Sequence, residues 1–375
     1  MADLQTDVVV VGGGVFGLAT GLELARRGHA VTVIDRFGSG HPATSSTGAS
    51  RSIRIAYSEP FYVDLARDAL ARWASLERAT GRTILQLTGQ VDFGPESVLD
   101  ALVESSMAAG ATIERRTAAQ LHELMPELSH GRDGLFQQQA GTVMAAEGMA
   151  ALRSAALEAG ARLLMPERVL AIEPGEPAVV HTAEHTVIAE RVVVAAGPWT
   201  GGLLEPLGVS LPLAPAVAQV TFLDAPTMVT RPGIADWPEP GGVGVYGHPV
   251  PGVGYKLAFD AGAVGWHPDV GEWTPDSAEE ARLLDWMTEN LGGTSQRVSY
   301  SQRHPWTLTP DSDFVIDRRG SLVLACGCSG HAFKFGPALG PVVADVVEGS
   351  PPNPLFQLDR PGLTKTVSPV NAIGR

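Results

Sequence analysis

The sequence predicts an α/β protein of two lobes. A β-branched run at residues 7–11 breaks into glycines, and an amphipathic helical pattern follows at once, as in a strand–turn–helix unit. Residues 206–309 contain short strand patterns with many Pro and Gly residues. A pattern typical of a buried strand returns at residues 321–327. With 375 residues, the chain exceeds the usual size of a single core. These observations predict a Rossmann-like nucleotide-binding domain that carries an inserted α+β domain built on a mixed or antiparallel sheet.

The turn after the first strand has glycines in the spacing G-x-G-x-x-G. Gly12 allows the tight turn, Gly14 lets a pyrophosphate approach the backbone, and Gly17 allows the helix to pack closely on the strand. Val15 and Phe16 open the helix, whose N-terminus presents free N–H groups to phosphates. The unit therefore predicts dinucleotide binding; the alternative is a glycine-rich turn in an ordinary α/β domain.

Other segments are expected beside the nucleotide. The second strand, residues 31–35, ends at Asp35, where a carboxylate can hold a ribose hydroxyl. A small, polar loop at residues 43–50 and a strand end with small residues at 195–199 are also expected there. The further residues expected to contact the nucleotide are Arg36, Ser45, Ser46, Ser50, Val169, Ala196, Gly197 and Trp199.

Charge and composition limit the classes of partner. The formal net charge of −14 argues against nucleic acid and anionic membranes. No apolar run is long enough to span a bilayer, and the N-terminus lacks the basic and apolar regions of a signal peptide. Cys326 and Cys328 are too close for an ordinary disulfide, and no suitably spaced histidine pair accompanies them. We therefore expect no metal site and a reducing, cytoplasmic setting.

The predicted division of the chain is discontinuous. The nucleotide-binding domain is predicted to comprise residues 1–80, 140–205 and 310–375, and the substrate-binding domain residues 81–139 and 206–309. Helices are predicted at residues 61–80, 148–160 and 277–291, with a helix–strand–helix pattern over 98–124. Strands are predicted at residues 88–93, 162–172, 178–187, 191–195 and 321–327.

Four segments are similar to one known family: the glycine unit, the loop at residues 50–54, the hairpin around residues 255–257, and residues 328–335. The last, with S-G-H-x-F-K in a strand–turn–helix, is the most specific. Over nearly its whole length the chain resembles the sarcosine oxidase and N-methyltryptophan oxidase branch of the D-amino-acid oxidase (glycine oxidase) superfamily. The resemblance implies FAD rather than NAD as the cofactor, and flavin chemistry on an amino acid.

Arg54 is the candidate for binding the substrate carboxylate, with Lys334 as a second cation, as the resemblance implies. A planar guanidinium matches a carboxylate, and two positive groups would also lower the pKa of the substrate ammonium, which must lose its proton before oxidation. The alternative for Arg54 is a solvated arginine on a strand. Arg51, three residues earlier, cannot share a strand face with Arg54 and is expected near the flavin ring.

Lys256 resembles the family lysine that holds a water beside flavin N5 and promotes the reaction with dioxygen. A buried cation there would stabilise superoxide as it forms. Because apolar residues alternate with Lys256 along its strand, we expect this face of the hairpin to present Tyr246, His248, Lys256 and Asp260 to one cavity. A two-sided hairpin with a solvated lysine is the alternative.

The segment that follows the last strand combines glycines with a cation. Gly327 and Gly330 would let the backbone approach the flat flavin ring. The N-terminus of the following helix, with Lys334, would stabilise negative charge on the reduced flavin. His331 is expected to support the site rather than act as a general base; the alternative is a purely structural histidine. Also expected to line the site are Ala332 and Phe333.

Positions 304, 260 and 306 depart from the family pattern. His304 stands where the family usually has the cysteine that tethers FAD, so we expect non-covalent FAD, with a covalent link through His304 as the alternative. Asp260 replaces a histidine of sarcosine oxidases, and could pair with Lys256 or bind a cationic or hydroxylated part of a different substrate. Trp306, where tyrosine is common, is expected to reshape the pocket. Sarcosine itself is therefore not expected to be the natural substrate.

The resulting hypothesis is an FAD-dependent amine oxidase acting on an N-substituted glycine, either sarcosine-like or an N-carboxymethyl amino acid. A carbon next to the nitrogen gives hydride to flavin N5, the imine hydrolyses, and dioxygen is reduced to hydrogen peroxide. The alternatives are a glycine or cyclic imino acid oxidase, a flavin dehydrogenase with another electron acceptor, a NAD-dependent dehydrogenase, and a non-enzymatic flavin protein. The expected partners are an amino acid and dioxygen, and the expected state is a monomer.

Overall fold

The computed structural model describes residues 2–239, 241–292 and 297–368. The ends of the predicted first and last segments, Met1 and residues 369–375, lie outside the described residues, as do Pro240 and residues 293–296 of the predicted substrate domain. The α-helices are α1 (Val15–Arg26), α2 (Pro60–Thr80), α3 (Glu96–Ala108), α4 (Ala118–Leu124), α5 (Ala145–Glu158), α6 (Thr200–Leu204), α7 (Ser277–Asn290) and α8 (Gly336–Val347). Short 3-10 segments are Gly197–Trp199, Glu205–Leu207, Pro226–Met228, Ala332–Phe335, Pro354–Phe356 and Pro361–Thr364.

The strands divide among three sheets. In chain order they are β1 (Ala2–Val11), β2 (Val31–Ile34), β3 (Ser50–Ile53), β4 (Leu85–Gln86), β5 (Gln90–Phe93), β6 (Glu114–Arg116), β7 (Gly134–Gln137), β8 (Gly141–Met144), β9 (Arg162–Leu164), β10 (Val169–Glu173), β11 (Ala178–Thr182), β12 (His185–Val194), β13 (Ala214–Leu223), β14 (Gly233–Asp236), β15 (Val245–Val250), β16 (Gly254–Phe259), β17 (Ala263–Val264), β18 (Val298–Leu308), β19 (Val315–Arg319) and β20 (Leu322–Cys326).

The first sheet has a parallel core in the order β9-β2-β1-β12-β20. Strand β19 pairs antiparallel with β20, while β11 and β10 extend the sheet from the first half of β12. Residues 8–11 are all buried, because helices α1, α5 and α8 cover one face of the sheet and α6 lies on the other. The Rossmann-like prediction is thus confirmed, with the glycine turn leading from β1 into α1.

The second sheet has the order β17-β13-β16-β15-β14-β5-β7-β6, and β18 also pairs with β13. Its neighbouring strands are antiparallel except for β5 and β14, which are parallel, so the predicted mixed sheet is confirmed. On β16, Tyr255 and Leu257 are buried against α4 and α7. Alternation then turns Lys256 to the opposite face, as the sequence predicts.

A small third sheet, in the order β3-β8-β4, carries Arg51 on its first strand. Strands β3 and β8 both contact β15 of the second sheet. The residues that follow β3 therefore lie next to the hairpin β15–β16, which carries Lys256.

One predicted strand, residues 162–172, is interrupted in the structure. Strand β9 ends at Leu164 and β10 begins at Val169. Pro166 lies between them, and its ring nitrogen has no N–H to donate to a sheet ladder.

The strands predicted at 178–187 and 191–195 are divided differently. Strand β11 ends at Thr182, whose hydroxyl accepts hydrogen bonds from the backbone N–H groups of Glu184 (3.2 Å) and His185 (2.8 Å). Strand β12 then runs without a break, because it pairs with β1 from His185 to Val194. Pairing with the buried central strand thus decides where the turn lies.

The helix predicted directly after the turn at residues 327–330 begins later than expected. The 3-10 segment Ala332–Phe335 comes first, and α8 begins at Gly336. A Cβ on Gly336 would meet Val15, and one on Gly340 would meet Ala19, so α8 packs closely on α1. This packing fixes the start of α8 and leaves the 3-10 segment beside the cavities.

Every helix within residues 2–239, 241–292 and 297–368 is too short or too polar to cross a membrane.

Candidate active site

A cavity of about 970 Å³ lies beside the glycine turn between β1 and α1. Glycine is required at Gly12, where φ is +111° and a Cβ would collide with the carbonyl oxygen of Ala195. A Cβ on Gly17 would collide with the carbonyl oxygen of Gly12, which is the close approach of helix and strand that the spacing predicts. The backbone at the turn is thus held open toward the cavity.

Asp35, after the end of β2, holds the glycine turn in place. Its Oδ2 accepts a hydrogen bond from the N–H of Gly13 (2.6 Å), and its Oδ1 accepts one from the N–H of Phe37 (2.8 Å). Burial raises the pKa of Asp35, and these backbone donors oppose that shift. Each carboxylate oxygen retains a further lone pair, so Asp35 can still accept a hydrogen bond from a ribose hydroxyl.

Two serines of the loop before β3 line this cavity. The Oγ of Ser46 accepts a hydrogen bond from the N–H of Val15 (2.9 Å). The Oγ of Ser45 is buried and has no hydrogen-bond partner among the described residues, although Ser45 lines the cavity. A buried hydroxyl without a partner is the state expected where a polar ligand supplies the missing bond. The donor set, the glycines and the volume fit a dinucleotide such as FAD.

Arg51 is fixed between this cavity and a second one. Its guanidinium donates hydrogen bonds to the carbonyl oxygens of Ser45 (2.9 Å), Thr47 (2.6 Å) and Ser50 (2.8 Å). It also lies over the ring of Phe333, 5.3 Å from the centroid. These carbonyls occupy most of the N–H donors of Arg51. Arg51 therefore stabilises the loop and packs on Phe333, and is not available to bind a substrate carboxylate.

The rim of the large cavity joins two distant segments. Asp269, which follows β17, accepts hydrogen bonds from the guanidinium of Arg36 (2.5 Å) and the indole N–H of Trp199 (3.0 Å). The guanidinium of Arg36 also lies 5.5 Å from the Trp199 ring. The segment 267–269 therefore closes one side of the nucleotide cavity.

The structure brings most of the predicted cofactor residues together. Those that line the large cavity are Gly12, Gly14, Val15, Phe16, Asp35, Arg36, Ser45, Ser46, Arg51, Val169, Ala196, Gly197, Trp199, Gly327, Gly330, Ala332 and Phe333. Those that do not line it are Gly17, Ser50, His304, His331 and Lys334.

A second cavity, of about 70 Å³, adjoins the first, since Arg51, Gly330 and Phe333 line both. The remaining residues around it are mainly polar or charged. The predicted ones are Arg54, Tyr246, Lys256, Asp260, His331 and Lys334, and those that the sequence analysis did not identify are Ser52, Tyr57, Gln90, Ala235, Ser312 and Ser329.

Arg54 is buried between two aromatic rings. Its guanidinium carbon lies 4.5 Å from the ring centroid of Tyr57 and 4.6 Å from that of Trp237. Its relative exposure is 7%, so the alternative of a solvated arginine is wrong. Aromatic faces stabilise a desolvated guanidinium and fix its plane.

Lys334 lies on the same side of the cavity as Arg54. Its ammonium donates a hydrogen bond to the hydroxyl of Tyr57 (3.0 Å). Burial lowers the pKa of Lys334, and the nearby charge of Arg54 lowers it further. Burial acts to raise the pKa of Tyr57, but the charges of Lys334 and Arg54 prevail and lower it. The two predicted cations and Tyr57 thus form one positive group.

Lys256 is fully enclosed, with a relative exposure of 2%. Its ammonium donates a hydrogen bond to the carbonyl oxygen of Ser50 (3.0 Å). Burial, assisted by the charge of Arg51, lowers the pKa of Lys256 well below its usual value. The alternative of a solvated lysine on a two-sided hairpin is therefore wrong.

His248 does not join the cavity with Lys256, contrary to the sequence prediction. It is paired with Lys256 across the hairpin, but its Nε2 lies 3.1 Å from the hydroxyl of Ser50. Burial, together with the charges of Lys256 and Arg51, lowers the pKa of His248 well below its usual value. A neutral imidazole on Ser50 thus supports the same residue that receives the Lys256 hydrogen bond.

Asp260 and Tyr246 also line the small cavity. Burial raises the pKa of Tyr246, and the negative charge of Asp260 adds to that shift. Asp260 in turn favours the protonated form of Lys334. The small cavity therefore combines the cations Arg54 and Lys334 with the carboxylate of Asp260.

His331 supports the wall of the small cavity. Its Nε2 lies 2.9 Å from the carbonyl oxygen of Ser312, and its ring stacks on Phe314 with 4.8 Å between centroids. A ring N–H at Nε2 can donate to that carbonyl, an arrangement that suits a positioning role.

His304 and Trp306 differ from their expected placement. His304 lies behind Gly48 rather than in either cavity: a Cβ on Gly48 would approach its ring to 2.9 Å. Burial, with the charges of Arg51 and Lys256, lowers its pKa, and its Nδ1 has no hydrogen-bond partner among the described residues. Trp306 lines the large cavity and not the small one, although it shares a face of β18 with His304.

Four residues at or near the small cavity were not predicted from the sequence: Tyr57, Trp237, Gln90 and Asp92. Gln90 and Asp92 alternate with Val91 and Phe93 on β5, and all four residues are buried. Polar residues at alternate positions of a strand that is otherwise apolar were the available signal.

The chain is similar to known proteins over nearly its whole length. A monomeric sarcosine oxidase from Streptomyces avermitilis is 33% identical over 376 residues, covering 94% of this chain and 96% of that protein. An N-methyl-L-tryptophan oxidase from Yersinia pestis is 28% identical and covers 93% of this chain and 96% of its own. The solved structure of NikD, described as an unusual amino acid oxidase essential for nikkomycin biosynthesis, has a TM-score of 0.80 at 26% identity, covering 93% of this chain and 98% of that one. The model of the FAD dependent oxidoreductase family DAO matches residues 7–346. The chain therefore belongs to the DAO family of FAD-dependent oxidoreductases.

Proposed function

We propose that the protein is an amine oxidase that uses FAD to oxidise an N-substituted glycine, either sarcosine-like or an N-carboxymethyl amino acid. The observation that carries the proposal is the small cavity, in which Arg54, Lys334 and Lys256 are buried beside the dinucleotide cavity. The relatives named as sarcosine oxidase and N-methyl-L-tryptophan oxidase, and the structural neighbour named as an amino acid oxidase, support the same class of reaction.

The residues around the large cavity would hold FAD. Asp35 would accept from the ribose, Ser45 would supply its free hydroxyl, and the turn from Gly12 would receive the pyrophosphate. FAD, when bound, supplies an acceptor for two electrons from a carbon next to the substrate nitrogen. Because Gly330 and Phe333 border both cavities, the substrate and the cofactor would meet there.

Arg54 and Lys334 would bind the substrate carboxylate in a site without bulk water. The attraction between these cations and the carboxylate would be strong, because burial removes the water that would otherwise compete for both charges. The same positive charges favour the neutral form of the neighbouring substrate amine, whose lone pair assists loss of hydride from carbon. Asp260, on the hairpin side, would contact the rest of the substrate or receive its amine proton.

Lys256 would serve the reaction with dioxygen. A buried ammonium stabilises the anion that forms when dioxygen takes up the first electron, and the product would be hydrogen peroxide. Lys256 favours this oxidase over the second candidate, a flavin dehydrogenase with another acceptor. Oxidation of glycine or a cyclic imino acid at the same site is a further candidate, because the small cavity suits a compact amino acid.

We also propose how FAD is held, how the chain divides into domains, in which compartment the enzyme acts and that it is a monomer. FAD would be held non-covalently, because His304 lines neither cavity. The nucleotide-binding domain would comprise residues 1–80, 140–205 and 310–375, and the substrate domain residues 81–139 and 206–309. The free thiols of Cys326 and Cys328 support a reducing, cytoplasmic setting, and the monomeric relative supports a monomer.

Anaerobic bleaching of the flavin tests the proposal. The panel contains glycine, sarcosine, proline-like cyclic amines and N-carboxymethyl amino acids with varied tails. We expect N-substituted glycines to bleach the flavin and, after air is admitted, to yield hydrogen peroxide. Bleaching without peroxide would favour the dehydrogenase, while a yellow, folded protein that no member bleaches would reject the proposed substrate class.

A further inference from the structure

Asp92 is a buried carboxylate that lines neither cavity. It lies on β5 with a relative exposure of 0%. On this strand Gln90 faces the same side, and Gln90 does line the small cavity. Asp92 therefore lies one layer behind the candidate substrate site, and a charge placed there needs partners to offset the loss of water.

The partners of Asp92 are N–H donors from three side chains. Its Oδ1 accepts hydrogen bonds from the amide of Gln90 (2.8 Å) and the indole of Trp237 (3.1 Å), and its Oδ2 accepts one from the amide of Gln137 (2.5 Å). Burial raises the pKa of Asp92, whereas these donors and the charge of Arg54 lower it. A carboxylate, which only accepts, matches three donors; a carboxylic acid would need an acceptor for its proton.

Gln137 connects Asp92 to the segment that carries Arg54. While its amide nitrogen donates to Asp92, its Oε1 accepts hydrogen bonds from the N–H groups of Ile55 (3.0 Å) and Ala56 (2.8 Å). Backbone N–H groups can only donate, so they fix the orientation of this amide. The backbone directly after Arg54 is thus held by a side chain that Asp92 orients.

Trp237 provides a second connection. Its indole N–H donates to Asp92, and its ring lies 4.6 Å from the guanidinium carbon of Arg54. The same carboxylate therefore fixes one of the two rings that enclose Arg54. The guanidinium charge of Arg54 is also close enough to Asp92 to lower the pKa of that carboxyl group.

We propose that Asp92 is a positioning residue for Arg54: through Gln137 and Trp237 it sets the backbone and the ring that hold the guanidinium ready for a substrate carboxylate. The inference rests on the proposed role of Arg54 in carboxylate binding. A preorganised guanidinium binds an anion without first losing its own freedom, so the effect is on binding more than on the oxidation step.

The test measures the affinity of the FAD-loaded protein for acetate, followed by the change in flavin absorbance. Asp92→Asn keeps the shape but turns one acceptor into a donor facing other donors, and Gln137→Met removes the link to Ile55 and Ala56. We expect each variant to weaken acetate binding about tenfold. With the substrate found by bleaching, KM should rise by a similar factor while the maximal rate of flavin reduction changes less than about threefold.

The matched control is Gln219→Met in the same sheet. Gln219 is also buried, and its amide bonds to the backbone of Asp276 by one donated and one accepted hydrogen bond. We expect this variant to lose stability without a change in acetate affinity. If Gln219→Met weakened acetate binding as much as the other two variants, a general loss of packing would explain the effect and the proposal would be overturned.

Combination with Arg54→Gln separates the inference from the function on which it rests. If Asp92 acts through Arg54, adding Asp92→Asn to Arg54→Gln should leave acetate affinity unchanged within about twofold. Should Arg54→Gln alone leave acetate affinity unchanged, the proposed role of Arg54 fails. If Arg54→Gln weakens binding while Asp92→Asn and Gln137→Met do not, only the positioning role fails; should Asp92→Asn not fold, Gln137→Met alone decides.

Discussion

The ammonium of Lys334 lies 3.0 Å from the hydroxyl oxygen of Tyr57, and the guanidinium of Arg54 lies over the ring of the same tyrosine. One aromatic residue therefore joins two cations that would otherwise repel each other in a buried site. The hydroxyl supports the charged form of Lys334, because both its hydrogen bond and its partial negative charge favour the ammonium.

Tyr57→Phe should shift the pH dependence of carboxylate binding. Without the hydroxyl, the pKa of Lys334 falls further below its usual value. Since the ammonium is present only below that pKa, acetate affinity should decline at a lower pH in the variant than in the parent protein. Titrations of acetate against flavin absorbance over a pH series measure this midpoint. Tyr300→Phe, which alters a half-exposed hydroxyl on β18, should leave it in place, and an unmoved midpoint in Tyr57→Phe would contradict the assignment.

Lys256→Met should slow flavin reoxidation about 100-fold while changing flavin reduction far less, because the buried cation is lost from the step that creates an anion. In the parent protein this rate should fall as the pH rises through the lowered pKa of Lys256, and the variant should lack that dependence. Stopped-flow mixing of reduced protein with dioxygen measures both. Lys365→Met, an exposed lysine, is the control, and equal slowing of reduction and reoxidation would count against the role.

Acid precipitation should release the flavin. His304 is enclosed behind Gly48 and lines neither cavity, so we expect a colourless pellet and a yellow supernatant. A yellow pellet would establish a covalent link. In that case His304→Ala should return the colour to the supernatant, which would identify the attachment residue.

Asp269→Asn should weaken the retention of FAD by about two- to fivefold, because a partly exposed ion pair with Arg36 contributes at most about 1 kcal/mol. The dissociation constant of FAD from the apoprotein, followed by flavin fluorescence, measures the change, which should shrink at high salt. Asp64→Asn removes a comparable surface pair with Arg67 on α2 and should have no effect. If Asp269→Asn and the parent protein bound FAD equally well at low salt, the contact between Asp269 and Arg36 would not retain the cofactor.

Much of the fold could be predicted because its signals are local. The strand, glycine turn and helix of residues 7–26 follow from neighbouring residues, and so does the alternation that turns Lys256 away from Tyr255. The errors arose where a distant partner decides the outcome. Pairing with β1 extends β12 back to His185, and packing on α1 delays the start of α8 to Gly336.

In the candidate site, too, the residues with local signals could be predicted and those that depend on distant partners could not. Cations such as Arg54 and Lys334 could be selected from motif and chemistry. Asp92 and Trp237 could not, because their importance comes from their placement near Arg54, which a distant part of the chain carries. The displacement of His248 onto Ser50 likewise depends on the third sheet, which joins segments that no short pattern connects.

The small cavity is assembled from chain segments far apart, since Lys334 meets Tyr57 across 277 positions and Lys256 meets Ser50 across 206. Such contacts form late when a chain folds, because the entropy cost of closing a long loop must be overcome before the contacts can stabilise the fold. During synthesis the glycine turn is made long before the wall formed by Gly330 and Phe333. A nascent chain that ends before Gly330 would thus present a nucleotide site with one side missing, so we expect cofactor capture only after that segment has been made.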